Sequence, residues 1–184
     1  MNIKKALTYI AFGFAFTLIN FNLTISNVTI NIMPDFIGWI LILLGINNLT
    51  DYVDRPILKW GSVVMIIITL APWLLDIAKP ELNIPILKTV ITFLTAGYMY
   101  FLFELLIKVG NDYKAKQTST LATLKIVYVG VYTILAIVSI LLEYFSVNNS
   151  LFLFTLVILM LALSLAIVTL VTLFGLRNEV ISKL

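Results

Sequence analysis

A chain of 184 residues that is 61% hydrophobic and 11% charged cannot hide its apolar surface in one water-soluble core, since soluble domains carry roughly 25% charged residues. Cysteine and histidine are both absent, which excludes disulfides, thiol chemistry, nearly all zinc and haem sites, and hydrolases built on a catalytic histidine. The net charge of +3 comes without any nucleic-acid-like patch, and basic residues in so greasy a chain serve first to orient it in a membrane.

Apolar runs approaching twenty residues recur along the whole length and predict an all-α integral membrane protein, a six-helix transmembrane bundle in a single polytopic domain over 1–184. The helices are expected at about 6–23, 35–49, 58–78, 85–109, 120–145 and 150–177. Lys4 and Lys5 followed by Ala6 to Leu18 imitate a signal peptide. No small-x-small cleavage site follows, so this segment reads as an uncleaved first helix. The second run, only fifteen residues from Asp35 to Leu49, must extend through Tyr52 or sit where the bundle is thin. Gly38 and Gly45, one heptad apart within it, would let another helix approach closely.

Between the first two helices the pattern changes. Phe21, Leu23, Ile25, Val28, Ile30 and Ile32 alternate with polar residues, and the phase flips across Ser26-Asn27. A helix would throw Leu23 and Ile30 onto the face opposite Phe21, Ile25, Val28 and Ile32. A hairpin over about residues 20–33, turning at Ser26-Asn27, pairs 25 with 28, 23 with 30 and 21 with 32 and gathers all six on one face. Two strands leave unpaired edges, which hydrocarbon does not tolerate, so the hairpin is expected outside it, on the extracellular surface.

The segment that follows reads Met33-Pro34-Asp35-Phe36-Ile37-Gly38-Trp39. It resembles the Leu/Met-Pro-Asp-Phe-Ile-Gly-aromatic run that opens the second helix in a family of small, uncharacterised multi-pass membrane proteins of low-GC Gram-positive bacteria. The resemblance covers about the first fifty residues and implies a membrane location and no particular chemistry. Physically, Pro34 presets the backbone for a helix start and Asp35 is expected to satisfy orphan N–H groups at its positive end. A ligand or ion site at Asp35 is the other reading.

Orientation follows from charge. With six spans, ten of the twelve basic residues fall on one side (Lys4, Lys5, Arg55, Lys59, Lys108, Lys114, Lys116, Lys125, Arg177, Lys183) and two, Lys79 and Lys88, on the other. The positive-inside rule then places both termini in the cytoplasm, in the cell membrane.

Candidate functional residues are few. Glu104 lies inside the apolar run "MYFLFELLIK", and an intramembrane carboxylate is a functional candidate by default. Its structural alternative is an ion pair with Lys108, four residues on, or with Lys125 in the next helix. Asp35, Asp76 and Glu143 would stand on the outer face as a cation-attracting vestibule or as ordinary solvated helix ends. Ser164, Thr169 and Thr172 would line a polar seam or bond back to their own helix. Asp51, Asp54 and Arg55 form the one compact acidic cluster beside the membrane. No metalloprotease motif, serine–histidine pair or phosphate loop occurs, so no catalytic residue, cofactor or metal is assigned.

The composition therefore points to a non-enzymatic accessory, immunity or stress-related factor. Besides the lipid bilayer, its partner is expected to be another membrane protein or a second copy of itself, docked on the outer hairpin or through Lys114 and Lys116 in the loop "KVGNDYKAKQTST". The alternative is a small oligomeric transporter or channel using Glu104 and the outer acids.

Overall fold

The computed structural model describes residues 2–18, 22–25, 28–31, 34–52, 56–78, 85–144 and 149–184. Six helices appear among them: α1 (Ile3–Leu18), α2 (Asp35–Asn47), α3 (Ile57–Ala78), α4 (Pro85–Asp112), α5 (Gln117–Tyr144) and α6 (Asn149–Ile181). Two short strands, β1 (Asn22–Ile25) and β2 (Val28–Asn31), pair antiparallel with Leu23 opposite Ile30 and Thr24 opposite Thr29. The Ser26-Asn27 turn and the Phe21–Ile32 pair lie outside the described residues.

Among the described residues, four helices carry apolar windows long enough to cross a membrane: Ile57–Leu75, Thr89–Asp112, Gln117–Leu142 and Leu153–Ile181. The expectation of a full-length first span needs correction, and the second helix, expected to be short, is shorter still. α1 has 16 residues and α2 has 13, about 24 and 20 Å at 1.5 Å per residue, against roughly 30 Å of hydrocarbon. α1 begins three residues earlier than expected, at Ile3, because Asn2 caps it: its side-chain Oδ1 accepts the Lys5 N–H at 3.0 Å. It does not reach Leu23, because the backbone from Asn22 is already paired in β1. α2 does not extend through Tyr52 either. The Asn48 side chain donates to the Leu44 carbonyl at 2.8 Å, and residues 50–52 are turn. In α4, α5 and α6 the helix continues past the apolar run into polar residues, to Asp112, from Gln117 and to Ile181.

The chain divides into two compact units, Met1–Asn83 with Leu173–Leu184, and Ile84–Thr172. In the first, α1 and α2 pack antiparallel through glycine. A Cβ built on Gly38 would lie 2.6 Å from the Gly13 carbonyl oxygen, and one on Gly45 would lie 2.8 Å from that of Ala6. Contact this close needs residues without side chains at the crossing, the means by which membrane helices gain van der Waals attraction without a hydrophobic force. Ile10, Phe14, Ile42 and Ile46 close around the seam, each at most 1% exposed. Leu58, Ser62, Met65 and Thr69 form the buried stripe of α3 at helical spacing. Ser62 and Thr69 donate to the Leu58 and Met65 carbonyls, so neither hydroxyl is left unsatisfied there.

In the second unit α4 and α5 pack along Met99, Leu102, Phe103, Leu106 and Leu121, all buried. Outward faces in each unit are apolar: Ile67 in the first and Ile126, Leu153 and Met160 in the second are each more than half exposed. Large exposed apolar surface of this kind is the signature of a chain whose solvent is lipid.

Candidate functional site

The connection from α4 to α5 is closed by backbone hydrogen bonds. Lys114 N–H donates to the Asn111 carbonyl at 3.0 Å and Ala115 N–H to the Gly110 carbonyl at 2.8 Å. These two bonds make a Schellman motif, which places the residue after the cap in the left-handed region. That residue is Lys114, at φ 49°, where glycine is the ordinary occupant because a Cβ costs roughly 1–2 kcal/mol in that conformation. Ala115 is buried, while Lys114 and Lys116 are exposed. The sequence-predicted docking pair therefore sits on a defined turn between two 28-residue helices.

Two turns back along α4 lies Glu104. The structure gives its carboxylate Lys125 of α5 as ion-pair partner, with Nζ 3.4 Å from Oε1. The same ammonium stands 4.6 Å from the centre of the Tyr100 ring, a cation–π distance. Tyr100, Glu104 and Lys125 are thus brought together, and the second of the two expected partners provides the bridge. Lys108 is exposed, one turn further on. Lys125 is largely covered, 20% exposed, whereas Glu104 keeps 43% of its side chain open.

Deeper along α5, Tyr128 stacks on Tyr132 at 4.1 Å between ring centres, and Phe103 meets Tyr128 edge-on at 5.6 Å. These aromatics pack the helix pair together. In α6 the Ser164, Thr169 and Thr172 hydroxyls bond back to the Met160, Leu165 and Val168 carbonyls, so the seam reading gives way to self-satisfied hydroxyls.

Asp35 is placed differently from the expectation. Pro34, extended at φ −69° and ψ 141°, is the cap of α2, and its carbonyl accepts the Ile37 N–H at 3.0 Å. Asp35 is the first helical residue, and its Oδ1 is buried without a hydrogen-bond partner among the described residues. It supplies negative charge to the first turn, but Oδ1 does not cap an N–H. Phe36 beside it meets Trp73 of α3 edge-on at 5.4 Å.

Asp76 and Glu143 lie near the C-terminal ends of α3 and α5; their side chains, with Lys79, Asp54 and Arg55, fall outside the described residues. No group of three or more His, Cys, Asp or Glu able to hold a metal occurs among the described residues. One residue that entered the sequence reading only as a positive charge acquires a specific place: Arg177 is half-buried against α1, its Nε donating to Thr8 Oγ1 at 2.8 Å. No family model, curated protein or solved structure matches the chain.

Proposed function

We propose that this membrane protein does no covalent chemistry of its own and acts by docking a partner on the α4–α5 turn, as an accessory, immunity or stress-related factor of the cell membrane. The observation that carries this reading is Lys114 at φ 49°. A lysine exposed on a hydrogen-bonded turn, in a left-handed position where glycine is less strained, is a backbone outlier of the kind from which a contact role is inferred. Both termini and this turn are taken as cytoplasmic on the ten-to-two distribution of basic residues. The β1–β2 pair is assigned to the outer surface, and the Met33–Trp39 resemblance supports a setting among small bacterial membrane proteins.

Two variants separate stability from function at this turn. Lys114→Gly is expected to stabilise the protein by about 1 kcal/mol, because it relieves the left-handed strain, while weakening the complex. Lys114→Glu combined with Lys116→Glu is expected to dissociate the partner with expression unchanged. Unfolding in mixed micelles and co-purification from membranes read the two effects, and an undiminished complex after charge reversal would overturn this docking site.

A small oligomeric transporter or channel is the second reading, favoured by the 43% exposure of Glu104 within an apolar run. It predicts that Glu104→Gln abolishes an ion or solute flux in liposomes.

A further inference from the structure

We propose that the end of the first unit where α1 begins and α6 finishes is a binding site for the phosphate of an anionic phospholipid, built on Arg177 with Lys4 and Lys5. Arg177 is half-buried, and its partners among the described residues are neutral: Nε donates to Thr8 Oγ1 at 2.8 Å and Nη1 to Asn178 Oδ1 at 2.9 Å. The Thr8 hydroxyl spends its own proton on the Lys4 carbonyl at 2.7 Å, so toward the guanidinium it acts only as an acceptor. These bonds orient the guanidinium without neutralising it, and donors remain on its fork for a planar, two-point contact with phosphate oxygens.

The charges around it agree. Lys4 and Lys5 are exposed on the first turn of α1, one helical turn from Thr8, and the positive end of the α1 dipole lies on the same turn. Glu179, the nearest carboxylate along the chain, is two residues from Arg177 and hence about 200° around the helix axis.

The position along the helices selects a lipid over a soluble anion. Arg177 is 24 residues beyond Leu153, where the apolar window of α6 begins, or about 36 Å along the axis. That is just past roughly 30 Å of hydrocarbon, at headgroup level. One turn further into the bilayer Phe12 and Phe174 meet edge-on at 5.4 Å, and Phe12 is 47% exposed. The order along this edge runs from two ammonium groups to a guanidinium to open aromatic surface, which follows an anionic lipid from headgroup to acyl chain.

The test is phospholipid retention by the full-length protein in nanodiscs of phosphatidylcholine with increasing phosphatidylglycerol, read by native mass spectrometry. Both leaflets present the lipid, so the result does not depend on which way the chain faces or on the docking turn. Wild type is expected to enrich phosphatidylglycerol. Arg177→Lys, which keeps the charge and loses the fork, is expected to reduce the enrichment about tenfold. Lys4→Gln and Lys5→Gln, both at exposed positions that leave the packing intact, are expected to reduce it about fivefold each. Lys114→Gln with Lys116→Gln is expected to leave it unchanged. Three results would overturn the proposal: equal loss from the Lys114 and Lys116 pair, wild-type enrichment in Arg177→Lys and in the Lys4 and Lys5 variants, or displacement of the lipid by inorganic phosphate at equal concentration.

Discussion

Gly38→Ala lowers the stability of the protein by about 1–3 kcal/mol, the usual cost of forcing extra volume into a packed seam, although alanine is the better helix former by about 1 kcal/mol. The sign is set by what the new methyl group meets. It would lie 2.6 Å from the Gly13 carbonyl oxygen and 3.0 Å from the Thr17 backbone nitrogen. Both belong to the backbone of α1, which cannot rotate away as a side chain does, so the helices must separate and lose contact along their length. Gly130 in α5 is the matched control, because nothing lies within 4 Å of the Cβ it would carry. Gly130→Ala should therefore stabilise, by up to about 1 kcal/mol. Reversible unfolding of both variants in mixed micelles gives opposite shifts on this account; equal shifts would mean that α1 and α2 are not in glycine contact.

Phe103→Ala is the second large effect, about 3 kcal/mol of destabilisation, the low end of the range for deleting a buried phenylalanine. The low end applies because lipid tails are as apolar as the core, so the transfer term shrinks and the lost packing remains. Phe103 is fully buried and holds Tyr128 edge-on, and Tyr128 in turn stacks on Tyr132. Removing the first ring leaves a cavity and unsupports the pair. Phe93 on the same helix is 40% exposed, so Phe93→Ala should change stability by no more than about 0.5 kcal/mol. Similar losses from the two variants would contradict the assignment of the α4–α5 core.

Helix number and type were readable because apolar runs of this length have few alternative explanations. Helix ends were not. The apolar count through Asn20-Phe21-Asn22-Leu23 suggested helix to Leu23, but hydrophobicity alone does not say where backbone pairing changes, and α1 ends at Leu18. At the polar ends the opposite error occurred: α6 runs on through Arg177 to Ile181, since a lysine or arginine ends an apolar run without ending a helix. Gly38 and Gly45 were visible as a heptad pair. Gly13, which faces Gly38, was not, because antiparallel pairing of two helices leaves no fixed spacing in one sequence.

At the candidate site, spacing offered Glu104 both Lys108 and Lys125, and only the packing of α5 on α4 brings Lys125 to 3.4 Å. The left-handed residue was hidden for a related reason. The sequence signal for a Schellman turn is glycine, and here Lys114 occupies the position. Pro34-Asp35 reads as a helix start, yet residue type alone does not give the side-chain geometry in which Asp35 Oδ1 is buried without a hydrogen-bond partner among the described residues. The link between Arg177 and Thr8 spans 169 residues and leaves no local trace at all.

The most direct test of the partner-docking reading places a photoreactive residue at Asn111, exposed beside the α4–α5 turn, in a tagged copy crosslinked in living cells. Mass spectrometry of the membrane-extracted product is predicted to find one foreign protein in near-stoichiometric yield, lost when Lys114→Glu and Lys116→Glu are introduced. Recovery of the protein alone or joined only to its own copies, together with a liposome flux that Glu104→Gln abolishes, would contradict the account and establish a transporter instead.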